Sequence, residues 1–233
     1  MKPFVALIAL MWVCVAAPSS AQTNPVVVEL FTSQGCSSCP PADKLMHDLA
    51  ARDDVIALAL HVDYWDYIGW KDQFASPAHT ERQKAYAVAG QRRSVYTPQM
   101  IINGTDSVIG ARAMELAKLI SDHAALPAQA HLAVQRAGDE LIIRARMVAE
   151  APHNMMVVQV LRYTPERSIN ITRGENAGHY MRYANVVHEM TIVADWDGKN
   201  PLELSMPVTG TDPVAVLVQN ENHGAIVAAV RID

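Results

Sequence analysis

Apolar positions recur in two rhythms along residues 25–125. Pro25–Thr32 is a short apolar run rich in β-branched residues, the mark of a strand buried on both faces. Ala42–Arg52 places Leu45, Met46 and Leu49 on one helical face. Pro40 and Pro41 lack N–H groups and fit only the first turn of that helix. Val55–Val62 reads as a second apolar strand and Ser76–Gln91 as a helix. Met100–Ile102 and Ser107–Gly110 flank the turn Asn103-Gly104-Thr105-Asp106, a hairpin signal. Ala111–Ala125 closes the series as a helix. The order strand, helix, strand, helix, strand, strand, helix predicts an α/β unit with a mostly parallel sheet.

After Pro127 the period changes to two. Ala130–Ala137, Glu140–Val148, Met155–Tyr163, Asn185–Ala194, Pro201–Met206, Val214–Gln219 and Ala225–Ile232 read as strands, with a tight turn at Ala137-Gly138-Asp139-Glu140. Seven short strands in this stretch predict an antiparallel, all-β sandwich-like unit. The boundary is placed at Leu126–Pro127, giving an α/β unit over 22–126 and the sandwich over 127–233.

Residues 1–21 follow a different logic. Lys2 supplies a positive start, Phe4–Ala17 an apolar run, and Ser19-Ser20-Ala21 a small-residue cleavage site. These are the parts of a secretory signal peptide, and the run is shorter than the roughly 20 residues of a spanning helix. Trp12 and Val13 stand before Cys14 where a lipoprotein would have small residues. The expected product is exported, periplasmic or secreted, with no membrane span after cleavage. Cys36 and Cys39 are then the cysteines left, in a compartment that allows their oxidation.

Half of the 233 residues are hydrophobic and the formal charge is −5 at pH 7. A chain of this kind can bury a core, and without a basic run it is not expected to bind nucleic acid.

Cys36-Ser37-Ser38-Cys39 lies where the first strand passes into the first helix. The positive end of a helix dipole favours an anion, so a Cys36 thiolate gains there and its pKa falls from about 8.5 toward roughly 3.5–7.5. Thiolate is the attacking species in disulfide exchange. Cys39, one turn in, is the resolving group. A purely structural staple explains the pair poorly, because so short a loop restricts the unfolded chain little.

Tyr96-Thr97-Pro98-Gln99 stands directly before the strand at Met100. Together with the CxxC opening the first helix, this order resembles thioredoxin. The resemblance implies a cis peptide at Pro98 beside the cysteines and a Thr97 backbone that pairs with an extended substrate. Glu29 lies near the place where thioredoxins keep a buried acid for proton transfer. It stands seven residues before Cys36 rather than six, where Leu30 is found. Two readings follow: a proton acceptor for Cys39, or a strand-end carboxylate facing solvent. Ser37-Ser38 replaces the usual Gly-Pro and Gly35 the usual Trp, so the direction of electron flow does not carry over.

A narrower resemblance rests on Leu30–Asp43 (LFTSQGCSSCPPAD), His61–Asp72 (HVDYWDYIGWKD), Tyr96–Gln99, Gly174–Gly178 followed by Asn185-Val186-Val187, and the stretch Val214–Ile232. These are similar to a secreted bacterial thioredoxin-like family known as domain of unknown function 1223.

Three further features have two readings each. Tyr64, Trp65, Tyr67, Trp70 and Phe74 gather aromatics into a short polar segment, with Trp65 and Trp70 lining a substrate groove or packing against the second half. His61 and Asp63 lie near a strand end; His61 with the cysteines suits a soft metal, or is a hydrogen-bonded structural histidine. Arg173–His179 is a polar loop that covers the dithiol or simply connects two strands.

The function expected is exported thiol–disulfide oxidoreduction on protein or small-molecule disulfides, with an external redox partner and no cofactor beyond the Cys36–Cys39 disulfide. The alternative is a non-catalytic envelope binding module, or a soft-metal (Cu or Zn) binder, on the same scaffold.

Overall fold

A computed structural model describes residues 25–148 and 155–233. The leader expected over residues 1–21, with Cys14, lies outside the described residues.

The first half contains the expected elements in the expected order: β1 (Val26–Thr32), α1 (Pro40–Ala50), β2 (Val55–His61), a 3₁₀ turn (Asp66–Ile68), α2 (Pro77–Ala89), β3 (Gln99–Ile102), β4 (Asp106–Ile109) and α3 (Ala113–Ala124). Every residue of β1, β2 and β3 is buried. Pro40 and Pro41 occupy the first positions of α1. Ser76 caps α2, its side chain accepting from the Ala78 N–H, which satisfies a donor the helix cannot.

The second half contains the seven expected strands: β5 (Ala130–Ala137), β6 (Glu140–Met147), β7 (Met156–Asn170), β8 (Tyr180–Trp196), β9 (Leu202–Pro207), β10 (Val214–Asn220) and β11 (Ile226–Ile232). Two of them are much longer than their apolar cores, β7 with 15 residues and β8 with 17.

The expected fold class, a thioredoxin-like α/β domain followed by an all-β sandwich, is corrected by the sheet. Strands make up 44% and helices 19% of the described residues. Eight strands form one mixed sheet in the order β11-β10-β7-β8-β2-β1-β3-β4, and β5-β6-β9 form a second, small one. Only β1–β2 and β2–β8 pair in parallel; the other pairs are antiparallel. Four strands from beyond Pro127 therefore extend the sheet that β1–β4 begin. The seam is the β2–β8 contact, a single register pair, Ala59 with Val186, reinforced by Asn185 Nδ2 donating to the Ala57 carbonyl at 2.9 Å. Periodicity reveals that a segment is a strand but not which strand it pairs with, so two sheets and one sheet look alike in the chain.

Three apolar layers result. On one face of β1–β2, α1 and α3 bury Ala42, Met46, Leu116 and Ile120 against Val28, Leu30, Ala57 and Ala59. On the other face, Val27, Phe31, Ile56 and Leu58 meet Tyr86 of α2 and also Leu217 and Ile226 of β10 and β11. The large sheet thus curls until its far strands cover its own centre. The outer side of those strands, with Val158, Val216 and Val227, packs on Leu132, Leu141 and Ile143 of the small sheet.

One polar node pins the curl. Arg82 of α2 donates from Nε to Glu29 Oε1 at 2.6 Å, from Nη1 to Gln159 Oε1 at 3.0 Å and from Nη2 to Gln219 Oε1 at 3.2 Å. The Tyr86 hydroxyl donates to Glu29 Oε2 at 2.5 Å. Side chains from β1, α2, β7 and β10 are thereby tied together where no water reaches. Among the described residues no helix is long and apolar enough to cross a membrane.

Candidate functional site

Cys36 and Cys39 are joined by a disulfide in the short connection from β1 to α1. Cys36 is 5% exposed and Cys39 is fully buried, while Ser37 and Ser38 between them face solvent. The chain turns tightly there: the Cys39 N–H donates to the Cys36 carbonyl at 3.2 Å, and the N–H groups of Ala42 and Asp43 donate to the Cys39 carbonyl. With Pro40 and Pro41 offering no N–H and those two donors engaged, the α1 terminus acts on Cys36 through its dipole rather than through free amides.

The Thr97–Pro98 peptide is cis, and Pro98 is buried at the start of β3. Gly110, whose N–H bonds the Pro98 carbonyl at 2.9 Å, lies between Pro98 and α1. A Cβ at residue 110 would stand 2.4 Å from Pro98 Cβ and 2.9 Å from Ala42 Cβ. Gly110→Ala is therefore expected to force the Pro98 ring and α1 apart, at a cost of about 1–3 kcal/mol, readable as a lowered midpoint in urea. An unchanged midpoint would contradict this close approach.

The aromatic segment after β2 closes the opposite side. Trp65 Nε1 donates to Thr97 Oγ1 at 2.7 Å, and its Cβ lies 3.3 Å from where a Cβ on Gly35 would be. Trp65 thus spans the dithiol loop and the cis-proline turn. Tyr67 stacks on it, ring centroids 6.4 Å apart, and is itself 79% exposed. Trp70 Nε1 donates to Gln34 Oε1 at 2.8 Å. Both tryptophans are half-buried.

The polar loop between β7 and β8 reaches the same place. Asn176 is buried and its Nδ2 donates to the carbonyls of Gln34, at 2.9 Å, and Cys36, at 3.0 Å. Gly174 adopts a φ of +77°, and a side chain there would meet Trp70 Cβ at 3.1 Å. The loop is carried by the long ends of β7 and β8, where Arg182 pairs with Glu166 and Arg167 lies over the Phe74 ring at 4.1 Å.

At the ends of β1 and β2, where the chain leaves β1 for the dithiol loop, Thr32 and His61 are register partners. Thr32 Oγ1 donates to Asp43 Oδ1 at 2.7 Å. His61 Nδ1 lies 2.7 Å from Asp72 Oδ2, which also accepts from the Gln34 N–H. Burial opposes ionisation of Asp72, but the adjacent His61 and these hydrogen bonds hold its carboxyl below the usual range. Asp43 has less compensation, and burial pushes it up to about 7.

Residues 27–219 match the family model described as "Protein of unknown function (DUF1223)". The chain belongs to that family. A solved structure, protein AGR_C_4864 from Agrobacterium tumefaciens, is 35% identical over 89% of this chain and 93% of its own, with a TM-score of 0.76. HBP35 of Porphyromonas gingivalis is 16% identical, covering 90% of this chain and 75% of that one at a TM-score of 0.62; that likeness is one of fold alone. The comparison with curated proteins finds no match.

Within this DUF1223 chain the structure brings together Cys36, Cys39, Thr97, Pro98, Trp65 and Trp70. It does not bring Glu29 with them. Side chains alternate along a strand, and Glu29 shares its face with Val27 and Phe31, away from α1. Its carboxylate is held by Arg82 and Tyr86, so neither the proton-acceptor nor the solvent-facing reading describes where it sits. His61 turns its Nδ1 to Asp72, and among the described residues no group of three or more His, Cys, Asp or Glu is arranged to hold a metal. Asp43 and Asn176 were not singled out by their own residues. The signal for Asp43 is its place four positions after Cys39, on one helix face; the signal for Asn176 is its place in the Arg173–His179 loop, one reading of which, a cover over the dithiol, agrees with its bonds to the Gln34 and Cys36 carbonyls.

Proposed function

We propose that this protein is an exported thiol–disulfide oxidoreductase acting through the Cys36–Cys39 pair. The carrying observation is the joined pair at the head of α1, bounded by Thr97–Pro98, Trp65 and the Asn176 loop. A substrate thiolate bonds to Cys36 Sγ as the Cys36–Cys39 bond breaks. Cys39 reverses the step by attacking Cys36 in the mixed disulfide and releasing the substrate thiolate. Thr97, half-buried and next to Pro98, supplies the backbone edge for an extended substrate, with Trp65 and Trp70 as its apolar walls.

One dithiol cannot pass electrons onward inside the chain, so the cycle needs an external redox partner; the pair itself is the redox group. Export to the periplasm or beyond rests on residues 1–21 and on chemistry that calls for an oxidising compartment. Cys36→Ser is expected to abolish exchange with small disulfides, and Cys39→Ser to accumulate mixed disulfides that non-reducing gels display. Exchange that survives in Cys36→Ser would overturn the reading.

A further inference from the structure

Next to the dithiol loop lies a group of buried polar side chains for which the exchange reading has no task. Strand geometry assembles it. Thr32 and His61, side by side in register, end β1 and β2 on the face that α1 covers. Asp43 comes down from α1 onto Thr32. Tyr183 of β8 stands edge-on to the His61 ring at 4.7 Å between centroids. Three polar atoms here have no hydrogen-bond partner: Asp43 Oδ2, His61 Nε2 and the Tyr183 hydroxyl. Buried polar atoms are nearly always paired, and these three, contributed by α1, β2 and β8, lie close enough to act on one another electrostatically.

The group is also placed for the chemistry. Asp43 is four residues after Cys39, which puts both side chains on the same face of α1 one turn apart. Its N–H donates to the Cys39 carbonyl at 3.1 Å, and both residues are buried. Glu29, by contrast, faces the other side of the sheet. We propose that Asp43 is the proton store of the dithiol, holding a proton while the disulfide stands and giving it to Cys39 when the disulfide opens. The proposal rests on the exchange reading and deepens it.

The step balances with a thiol as reductant. The incoming thiolate bonds to Cys36 Sγ, and the electron pair of the broken S–S bond leaves on Cys39 Sγ. The Asp43 carboxyl proton passes to that sulfur, giving a Cys39 thiol and an Asp43 carboxylate. In reverse, Asp43 takes the proton as Cys39 sulfur attacks the mixed disulfide and the partner leaves as thiolate.

The groups facing Asp43 set its titration. Burial raises it to about 7, while His61 and the Thr32 hydroxyl pull it down and Asp72 pushes it up. Tyr183 is kept protonated by burial and by Asp43 and Asp72 nearby. Beyond His61, His79 of α2 bonds the His61 carbonyl at 2.9 Å and is pushed down to about 4 by burial, so it holds no charge near neutrality.

The test is reduction of the oxidised full chain by dithiothreitol from pH 5.5 to 8.5, each rate divided by the thiolate concentration. This division removes the reductant's own titration. The wild-type rate should fall by about tenfold from pH 6 to pH 8, following the protonated fraction of a group near 7. Asp43→Asn should be slow at every pH and lack this fall. Thr32→Val keeps the acid but removes its hydrogen bond, and should move the midpoint to higher pH. Asp43→Asn that retains the wild-type fall overturns the proposal, as does Thr32→Val with an unmoved midpoint. A wild type inert to dithiothreitol at every pH overturns the exchange reading and this proposal with it. A reactive wild type with a flat profile overturns the proposal alone.

Discussion

Arg82→Ala is expected to lower the stability of the fold by about 3–5 kcal/mol, the usual effect of removing one partner from a buried ion pair. The reason is what remains behind. Glu29 is fully buried and would retain only the Tyr86 hydroxyl. The carbonyl oxygens of Gln159 and Gln219 would each lose a charged donor as well. Because those two side chains belong to β7 and β10, the variant loosens the curl of the large sheet rather than one helix. Urea unfolding followed by circular dichroism reads the loss as a lower midpoint. Glu29→Gln should also destabilise, since it leaves the guanidinium without its countercharge. In the molecules that remain folded, neither variant should change the rate of Cys36–Cys39 exchange. A stable Glu29→Gln protein with markedly slowed exchange would contradict the placement of this carboxylate away from the dithiol.

The second large effect is a pH dependence of stability centred on Asp43. Its folded pKa is raised from 3.8 to about 7, mainly by burial. The native chain therefore holds this proton more tightly than the unfolded chain does. The corresponding stability is fully present below pH 3.8 and is lost as pH rises through about 7. One pKa unit corresponds to 1.36 kcal/mol, so the whole change is on the order of 4 kcal/mol. His79 works in the opposite sense. Burial lowers it from 6.5 to about 4, so its contribution is present above 6.5 and lost as pH falls through about 4. The two slopes offset each other on the acid side, and the total curve alone would hide Asp43. The difference between Asp43→Asn and wild type isolates it. That difference should climb in favour of the variant by about 1.4 kcal/mol per pH unit between pH 4 and 7, then level off. A flat difference would mean that the carboxyl at Asp43 is not desolvated.

The same residues show what a single chain can and cannot display. The helices and the strands of the described residues are legible from local signals: Leu45, Met46 and Leu49 on α1, the alternation along β5 and β6, and the Asn103–Asp106 turn that marks β3 and β4. The pairing of β8 with β2 was not, since it depends on one register pair and on Asn185, residues with no periodic signature. The outer ends of β7 and β8 were missed for a related reason. Glu166, Arg167, Ser168 and Arg182 are polar on both sides of that arm, so no apolar alternation marks it as strand. The CxxC and Pro98 were readable as motifs, and the aromatic segment as a cluster. Glu29 was misplaced because β1 is apolar on both faces, which removes the parity that would show where its carboxylate points. Asp43 stands inside the motif, yet its raised pKa comes from burial and from groups around it, such as His61, that only the sheet register brings near.

Cys36 and Cys39 are expected to form a reversible redox pair, which a redox titration reads without reference to any substrate. The purified chain would be equilibrated in graded glutathione and dithiothreitol mixtures, alkylated, and its labels counted by mass. Cys36 and Cys39 should gain their labels together in one two-electron transition, approached equally from the oxidised and the reduced side. Absence of any transition between about −120 and −300 mV, or labels that do not reverse, would contradict it.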